Sequence, residues 1–451
     1  MKKSNYNIFV KQKGFVICYN SFTHTLICVS NHVYDSFMSM AESDFKRTFK
    51  SHYDTLVSSG FLISDERDEL AEIRLKHKIA TFSPSRRLRL MVYPTQDCNL
   101  KCWYCYESHV ANSKMGDEVK QNILKYIEKK VQLRQVDSFV LSFFGGEPLL
   151  YFDEIAYPLA DKAREICKRA GVNYTSFFIT NGTLINKENI DKLRSTNPVF
   201  QITLDGNKEK HDKVRIGKIN NAETYDKILD SLYLISDNIP ALEEDFVVTL
   251  RINYDDATLG NIDPLIKDLQ GLDRSKFLVH MERVWQTMES AGDKEQRSLL
   301  LETIRKFQKE GFTVQSGNMK IRDYSCPAED YDFAIINYDG NVYRCNGRTL
   351  KKENAEGILT HAGDIVWNQV TLSKRLGRTT FENPMCLACK MLPVCMGPCS
   401  QKCMELNWKD LHKVCSMQHM GLSTNIYFFG WSKCFCKARN LKSNKDYTLN
   451  R

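Results

Sequence analysis

Cys98, Cys102 and Cys105 fall within eight residues of the stretch TQDCNLKCWYCYES, residues 95–108. Thiolates separated by three and then two residues have the spacing of metal ligands, and a fourth would close a structural site. With three, a four-iron, four-sulfur cluster keeps one iron without a protein ligand, open to a small molecule that chelates it. A structural zinc is the competing reading, with His109 as its fourth ligand. Zinc does not account for the place of the cysteines, directly after an apolar run.

A second cysteine group follows far downstream. CPAEDYDFAIINYDGNVYRC joins Cys326 to Cys345, and its core reads as a strand, a two-residue Asp-Gly turn and a return strand. CLACKMLPVCMGPC supplies Cys386, Cys389, Cys395 and Cys399, and Cys415 follows in HKVC. One or two structural zincs would also fit that spacing. Between the groups lie short polar motifs. FFGGEP carries Gly145, Gly146, Glu147 and Pro148, with glycines that let a backbone approach a ligand and a carboxylate that accepts from an ammonium group. ITNGT contains Asn181, ITLDG contains Asp205, and KHDKVR ends on Arg215. Arg251 and Asn253, in LRINY, are strand-end polar residues.

The elements that position these residues follow from periodicity. From about residue 87, six apolar runs (LRLMVYP, SFVLSFFG, TSFFIT, VFQITLDG, DFVVTLRINY and KFLVHMERVW) alternate with amphipathic helical stretches. Six β-α units predict a parallel sheet, too few strands for a closed eight-stranded barrel, hence an α/β partial (β/α)6 TIM-like barrel over 87–312. Cys98, GGEP, TNG and LDG all stand at C-terminal strand ends, where such folds place function. Residues 1–80 read as a small winged-helix-like module: two strands around a turn at Ser21 to His24, helices stopped by Gly60, and a closing strand FLIS. Residues 313–440 read as an irregular cysteine-rich domain that needs metal sites in place of a large core.

Taken together, these motifs resemble those of radical S-adenosylmethionine (SAM) enzymes, whose signature is this cysteine spacing after the first strand of a partial barrel. The resemblance implies that the amine and carboxylate of SAM occupy the unique iron, and that electron transfer yields a 5′-deoxyadenosyl radical. It casts Gly145, Gly146, Glu147 and Pro148 as the SAM-amine motif, Asn181 and Asp205 as later motifs, and Arg215 as facing the SAM carboxylate. Trp103, Tyr104 and Tyr106 would shield the cluster, Tyr104 walling the adenine pocket.

The downstream cysteines resemble the SPASM extension, which carries two auxiliary clusters and would bring the total to three [4Fe-4S] clusters. The resemblance gives Cys326, Cys345 and Cys399 to the first auxiliary cluster, and Cys386, Cys389, Cys395 and Cys415 to the second. No cysteine precedes Cys326 in MKIRDYS. An open iron that binds a substrate thiolate, or a ligand from Cys403, Cys434 or Cys436, would follow. Cys18, Cys28 and Cys167 read as buried structural thiols.

The N-terminal module resembles the recognition element of enzymes that modify ribosomally made peptides, which binds a leader as an extra strand. The expected function is therefore oxidative modification of a ribosomal precursor peptide, most simply a C–S or C–C cross-link. Cross-linking is a net two-electron oxidation, and an auxiliary cluster would accept the second electron. A flavodoxin or ferredoxin would be the donor. Formylglycine formation, as in anaerobic sulfatase maturation, is the nearest rival; there an Asp follows the cysteine that Cys345 matches, and here Asn346 does. A zinc-stabilised winged-helix binding or regulatory protein is the rival from another class.

Composition agrees with an ordinary globular chain: 451 residues, 42% hydrophobic, 26% charged, net charge +8. Lys and Arg are dispersed, which argues against nucleic-acid binding, and no apolar run is long enough for a membrane span. The opening residues lack the apolar core of a signal peptide, so the expectation is a cytoplasmic protein with reduced thiols.

Overall fold

A computed structural model describes residues 1–82, 87–133, 136–243, 245–284, 286, 294–316, 326–377, 380–406, 410, 415 and 447–449. The chain divides into two compact units: Met1–Thr81 with Ile321–Cys326 and Arg378–Arg451, and Phe82–Lys320 with Pro327–Gly377. The stretch 313–440, read from sequence as one domain, thus contributes to both.

In the first unit, β1 (Lys2–Lys3) pairs with β5 (Leu62–Ile63), while β2 (Asn7–Lys11), β3 (Phe15–Asn20) and β4 (Thr25–Ser30) form an antiparallel meander. The turn at Ser21 to His24 is where the sequence places it; β2 is an addition. Asn20 knits the turn. Its Oδ1 accepts from the Phe22 and Thr23 N–H groups (3.0 and 2.9 Å), and its Nδ2 donates to Asn7 Oδ1 (2.8 Å) and Gly60 O (2.9 Å). Three short helices, Asn31–Ser39, Glu42–Thr48 and Lys50–Ser58, follow, and Gly60 leaves the last at φ +80°. Phe37, Phe45, Tyr53 and Phe61 bury against Val16, Cys18 and Ile27 on one face of the sheet. Val10, Ile17, Tyr19 and Leu26 on the other face pack with Met391, and Lys390 Nζ donates to Asn7 O (2.9 Å).

The second unit is built on parallel strands β6 (Arg87–Val92), β7 (Ser138–Phe143), β8 (Asn173–Thr180), β9 (Pro198–Thr203), β10 (Val248–Tyr254) and β11 (Phe277–Arg283), the six expected runs. Helices including Asp117–Leu133, Tyr157–Ala170 and Tyr225–Asn238 connect them. Phe143, Phe178 and Phe200 stack across β7, β8 and β9 with centroids 4.9 and 5.9 Å apart, sealing the helix-facing side. β10 alternates strictly: Val248, Leu250, Ile252 and Tyr254 are buried, whereas Thr249, Arg251 and Asn253 are half-buried on the opposite face. That half-open face is what a partial barrel leaves along its interior.

The parallel run exceeds the expected six. β12 (Thr313–Ser316) adds beyond β11, and β13 (Ala334–Ile336) pairs parallel with β6 on the other side. Antiparallel β14 (Asn341–Tyr343), β15 (Gly357–Leu359) and β16 (Ile365–Trp367) continue past β13, so the sheet stays open. The β13–β14 turn differs from the sequence reading. Ile336 pairs with Val342, Asn337 N–H donates to Asn341 O (2.9 Å), and Gly340 sits at φ +81°. The turn therefore holds three residues, Tyr338 to Gly340, because Gly340 takes the left-handed place that closes a three-residue loop. β17 (Tyr447–Leu449) belongs to the first unit and pairs antiparallel with β4. Among the described residues no helix is long and apolar enough to cross a membrane.

Arg344, fully buried, donates through Nε to Ala328 O (3.1 Å) and through Nη2 to Asp330 O. Its N–H donates to Glu356 Oε1 (3.2 Å), and Glu356 receives Arg375 in a two-point contact of 2.8 and 2.7 Å. Arg375→Ala would strand a buried carboxylate, with an expected loss of about 3–5 kcal/mol in denaturant titrations of this unit. A loss below about 1 kcal/mol, the range of an exposed pair, would contradict that role.

Candidate functional site

The loop after β6 is held from several sides. Thr95 Oγ1 donates to Ser113 O (2.5 Å) and accepts from Asp97 N–H (2.8 Å), while Gln96 Nε2 donates to Leu350 O (2.8 Å). Asp97 accepts from Cys98 N–H (2.8 Å), Asn112 N–H (2.9 Å) and Lys218 Nζ (3.1 Å), and its pKa is lowered by these partners against the opposing effect of burial. The β7 exit turn then closes on the loop. A Cβ on Gly145 (φ +117°) would lie 2.3 Å from Thr95 O, and one on Gly146 2.0 Å from Asp97 O. The glycines, read from sequence as making room for a ligand, make room first for the cysteine loop's own backbone. Gly146 N–H reaches Thr95 O (3.2 Å) and Glu147 N–H reaches Asp97 O (2.8 Å).

Glu147 is fully buried, and its carboxylate is taken up by the protein. It accepts from Leu149 N–H (3.0 Å), Thr180 Oγ1 (2.7 Å) and Asn181 N–H (2.8 Å), tying the ends of β7 and β8. Burial raises its pKa, with these hydrogen bonds opposing the shift. The side chain that sequence offers as an ammonium acceptor also ties these two strand ends; Pro148 opens the turn of helix behind it.

Cys98 is buried, Cys102 half-buried and Cys105 exposed. Asn181 Nδ2 donates to Asn99 Oδ1 (2.8 Å) and lies 3.8 Å from Cys98 Sγ, which Leu100 N–H approaches at 3.4 Å. Cys105 Sγ lies 3.6 Å from His109 Nε2. Burial pushes the Cys98 thiol up to about 12 and raises Cys102 and Cys105 as well. Thiols in such a setting become thiolates at neutral pH when positive charge joins them. Arg215 already opposes the shift at all three.

Beside the cysteines, Tyr104, Asp205, Arg215 and Asn253 form one network across strand ends. Tyr104 OH donates to Asp205 Oδ2 and accepts from Arg215 Nη1 (2.7 Å) and Asn253 Nδ2 (3.2 Å). Asp205 Oδ1 accepts from Asn253 N–H (2.8 Å). Asp205 is pushed up by burial, with Arg215 pulling it down. The Arg215 Nε is buried with no hydrogen-bond partner among the described residues. An orphaned, buried guanidinium donor suits a carboxylate. This donor, and three thiols that need positive charge, fit an iron-sulfur cluster chelated by an amino acid group.

Sequence reasoning ranked Asn253 as a lesser candidate and missed Asn99, His211 and Glu107. His211 Nδ1 accepts from Asp205 N–H (3.1 Å). Glu107 accepts from Tyr93 OH (3.1 Å), and burial pushes its carboxyl up to about 8. None of these has a diagnostic spacing; only the fold brings them in. Trp103 is 52% exposed, with Tyr104 at its edge.

In the first unit, Cys386 is buried and its thiol raised by that burial, with Cys389 and Cys415 adding to the shift. Cys389 and Cys395 pack at the margin of the Met391 core, and Cys399 and Cys403 bracket one turn of helix. Cys326 belongs to the first unit and Cys345 to the second, where Gly347 N–H points at Cys345 Sγ (3.3 Å). Cys434 and Cys436 lie outside the described residues. Cys18 and Cys167 are buried, as expected; Cys28 is half-buried. Among the described residues no three His, Cys, Asp or Glu side chains converge on one ion position. Ligands of a four-iron cluster bind separate irons.

The geometry predicts the reactivity of Cys98. In metal-free protein at pH 8 it should alkylate roughly fiftyfold more slowly than an exposed thiol, the scarcity of thiolate outweighing its greater nucleophilicity. Gly146→Ala, which forces the loop away from Asp97, should accelerate it about tenfold. Peptide mapping after iodoacetamide checks both rates; a wild-type Cys98 as fast as an exposed thiol would contradict the burial.

Comparison with known proteins finds similarity over the stretch that carries these residues. Residues 92–259 match the model of the radical SAM superfamily. A cysteine-type anaerobic sulfatase-maturating enzyme of Clostridium novyi is 28% identical over 155 residues, 34% of this chain and 41% of that protein. The chain thus spans about two-fifths of that relative's length. The Fe-coproporphyrin III synthase of Methanosarcina barkeri is 30% identical over 255 residues, 54% of this chain and 58% of that one. Native anSMEcpe with bound AdoMet and Kp18Cys peptide shares the fold, with TM-score 0.55 and 18% identity over 79% of this chain and all of that one. The match to the radical SAM superfamily thus spans residues 92–259, which include Cys98, Cys102, Cys105, Glu147, Asn181, Asp205, Arg215 and Asn253.

Proposed function

We propose that the chain is a peptide maturase that oxidatively modifies a ribosomally made precursor, installing a C–S or C–C cross-link. The observation that carries the reading is the Arg215 Nε, without a partner among the described residues, beside the three thiols of Cys98, Cys102 and Cys105, whose raised pKa values the same guanidinium opposes. Cys98, Cys102 and Cys105 would hold the cluster, and Arg215, Tyr104, Asp205 and Asn181 would line the place of SAM. Bound there, cluster and SAM supply a 5′-deoxyadenosyl radical that abstracts hydrogen. The chain's own contribution is placement. Asn181 and the Leu100 N–H direct hydrogen bonds at Cys98 sulfur, which tunes a cluster's potential. The Tyr104–Asp205–Arg215 network fixes the guanidinium, and the half-buried face of β10 and β11, with Arg251, His280 and Glu282, offers polar contacts to a peptide in the interior.

The downstream cysteines Cys326, Cys345, Cys386, Cys389, Cys395, Cys399 and Cys415 are proposed to hold two further clusters, in the ligand sets that the SPASM resemblance implies. The meander β2–β4 with its three helices would receive the peptide's leader as an added strand. A reductant protein of the flavodoxin or ferredoxin kind would supply electrons. The sulfatase-maturase relatives favour a second reading, formylglycine formation, against which Asn346 stands as a poor base.

Anaerobic reconstitution should yield about twelve irons per chain with matching sulfide, and reductive release of 5′-deoxyadenosine from SAM. Replacing Cys98, Cys102 and Cys105 by Ala should leave about eight irons and no release. Arg215→Met should weaken SAM binding by about 10- to 100-fold, the loss of a charge-assisted hydrogen bond. Zinc without iron would overturn the reading. An aldehyde formed on a sulfatase-derived Cys peptide would favour the second.

A further inference from the structure

The loop that follows Arg215 returns to the cysteine segment. The short helix Lys208–Val214 ends at Arg215, whose N–H donates to His211 O (2.8 Å) and whose carbonyl accepts from Thr224 Oγ1 (2.8 Å). Asp212 Oδ1 accepts from the Thr224 and Tyr225 N–H groups (2.8 and 2.9 Å), so the two ends of the intervening loop are pinned together. Within it, Gly217 N–H donates to Ala222 O (3.0 Å) and Ala222 N–H to Ile219 O (3.2 Å). Asn220 and Asn221 turn the chain at φ +52° and +48°, a left-handed pair that asparagine adopts more readily than most side chains. The result is a small hairpin, residues 216–222.

This hairpin lies antiparallel against the stretch between the first two cysteines. Lys101 N–H donates to Ile216 O (2.9 Å), Lys218 N–H donates to Asn99 O (2.8 Å), and Leu100 stands opposite Gly217. Two side-chain bonds reinforce the pairing from both directions: Lys218 Nζ donates to Asp97 Oδ1 (3.1 Å) and Lys101 Nζ to Asn221 Oδ1 (2.7 Å). Apolar burial adds little at the tip, where Ile219 is 79% exposed. Asn99 ties the same cysteine stretch to the exit of β8, its Nδ2 donating to Thr183 Oγ1 (2.8 Å).

We propose that residues 216–222 are a strap that sets the distance between the Arg215 guanidinium and the three thiols, with the Lys218–Asp97 contact as its latch. The Tyr104–Asp205 network holds the guanidinium to the strand ends. The strap holds the cysteine stretch to the backbone of Arg215 itself. Lys218 is thus a positioning residue, acting through the spacing of other groups. The strap stands on these hydrogen bonds alone; the ligand it would serve, gripped by cluster and guanidinium together, rests on the SAM reading.

Alkylation of the metal-free protein reads that distance without the ligand. Cys102 is half-buried; burial raises its thiol, and Arg215 is the strongest opposing charge. Iodoacetate carries a carboxylate that a nearby guanidinium attracts, whereas iodoacetamide is neutral. Both attack the same thiolate, so the ratio of their rates at Cys102 cancels the thiolate fraction. Relative to an unfolded reference peptide, the ratio should be about tenfold higher in the wild type, and Arg215→Met should erase the excess. Lys218→Ala should lower it about threefold, and Lys218→Arg, which keeps the latch, should leave it near the wild-type value. In the Arg215→Met background Lys218→Ala should have no effect, because a lysine acting through Arg215 has nothing left to position. A direct pull of Lys218 on the reagent would persist there. An unchanged ratio in Lys218→Ala, a fall that persists without Arg215, or equal acceleration by both reagents would overturn the proposal. None of these rates depends on iron or SAM, so zinc without iron would sink the maturase reading and leave the outcome for the strap readable.

Discussion

The backbone of Gly146 passes so close to the carbonyl of Asp97 that no side chain fits between them, and the position of the cysteine loop depends on that contact. That loop buries Tyr93, Leu100 and Met115, and it is fastened further by backbone hydrogen bonds to the neighbouring strand exit. From there a continuous relay runs sideways across the sheet: Asp97 to Glu147, Glu147 to Asn181, Asn181 to Cys98. Because these groups are buried, each bond is stronger than in water, and each omission would leave a desolvated atom. Three strand ends thereby become one rigid support for the sulfur atoms.

The second half of the site is arranged by charge. Arg215 and Asp205 are buried 3.8 Å apart, with Tyr104 OH bridging them. A buried pair of this kind contributes little net stability, since desolvation offsets most of the attraction. Its value is orientation. The carboxylate holds one side of the guanidinium network while Nε remains for a ligand. The same positive group lies near enough to oppose the rise in all three thiol pKa values. Under the proposed function, ligand carboxylate and thiolate would both be drawn to one guanidinium.

The first unit meets a different constraint. Its helices around Cys386 to Glu405 are four to six residues long, too short to persist without tertiary support. They gain that support from the second face of the N-terminal sheet, through Met391 against Val10, Ile17, Tyr19 and Leu26. The meander is thus sandwiched, with helices 31–58 on one face and a cysteine-rich segment on the other.

Sequence alone determined the six parallel strands, the place of the cysteines and polar motifs at their C-terminal ends, and the N-terminal turn at Ser21 to His24. These follow from local periodicity, turn residues and ligand spacing, all written within a few positions of one another. Only the tertiary structure decided that Gly145 and Gly146 make way for the cysteine loop, that Glu147 faces protein, and that Asn253 and Asn99 join the site. It also decided the three-residue turn at Tyr338 to Gly340, the added strands β12 and β13, and the pairing of Tyr447–Leu449 with β4. Each of these depends on groups far apart in the chain, or on which of two near-equal local geometries a distant contact selects. A sequence pattern records what a residue can do; the partner that uses it is chosen by the fold.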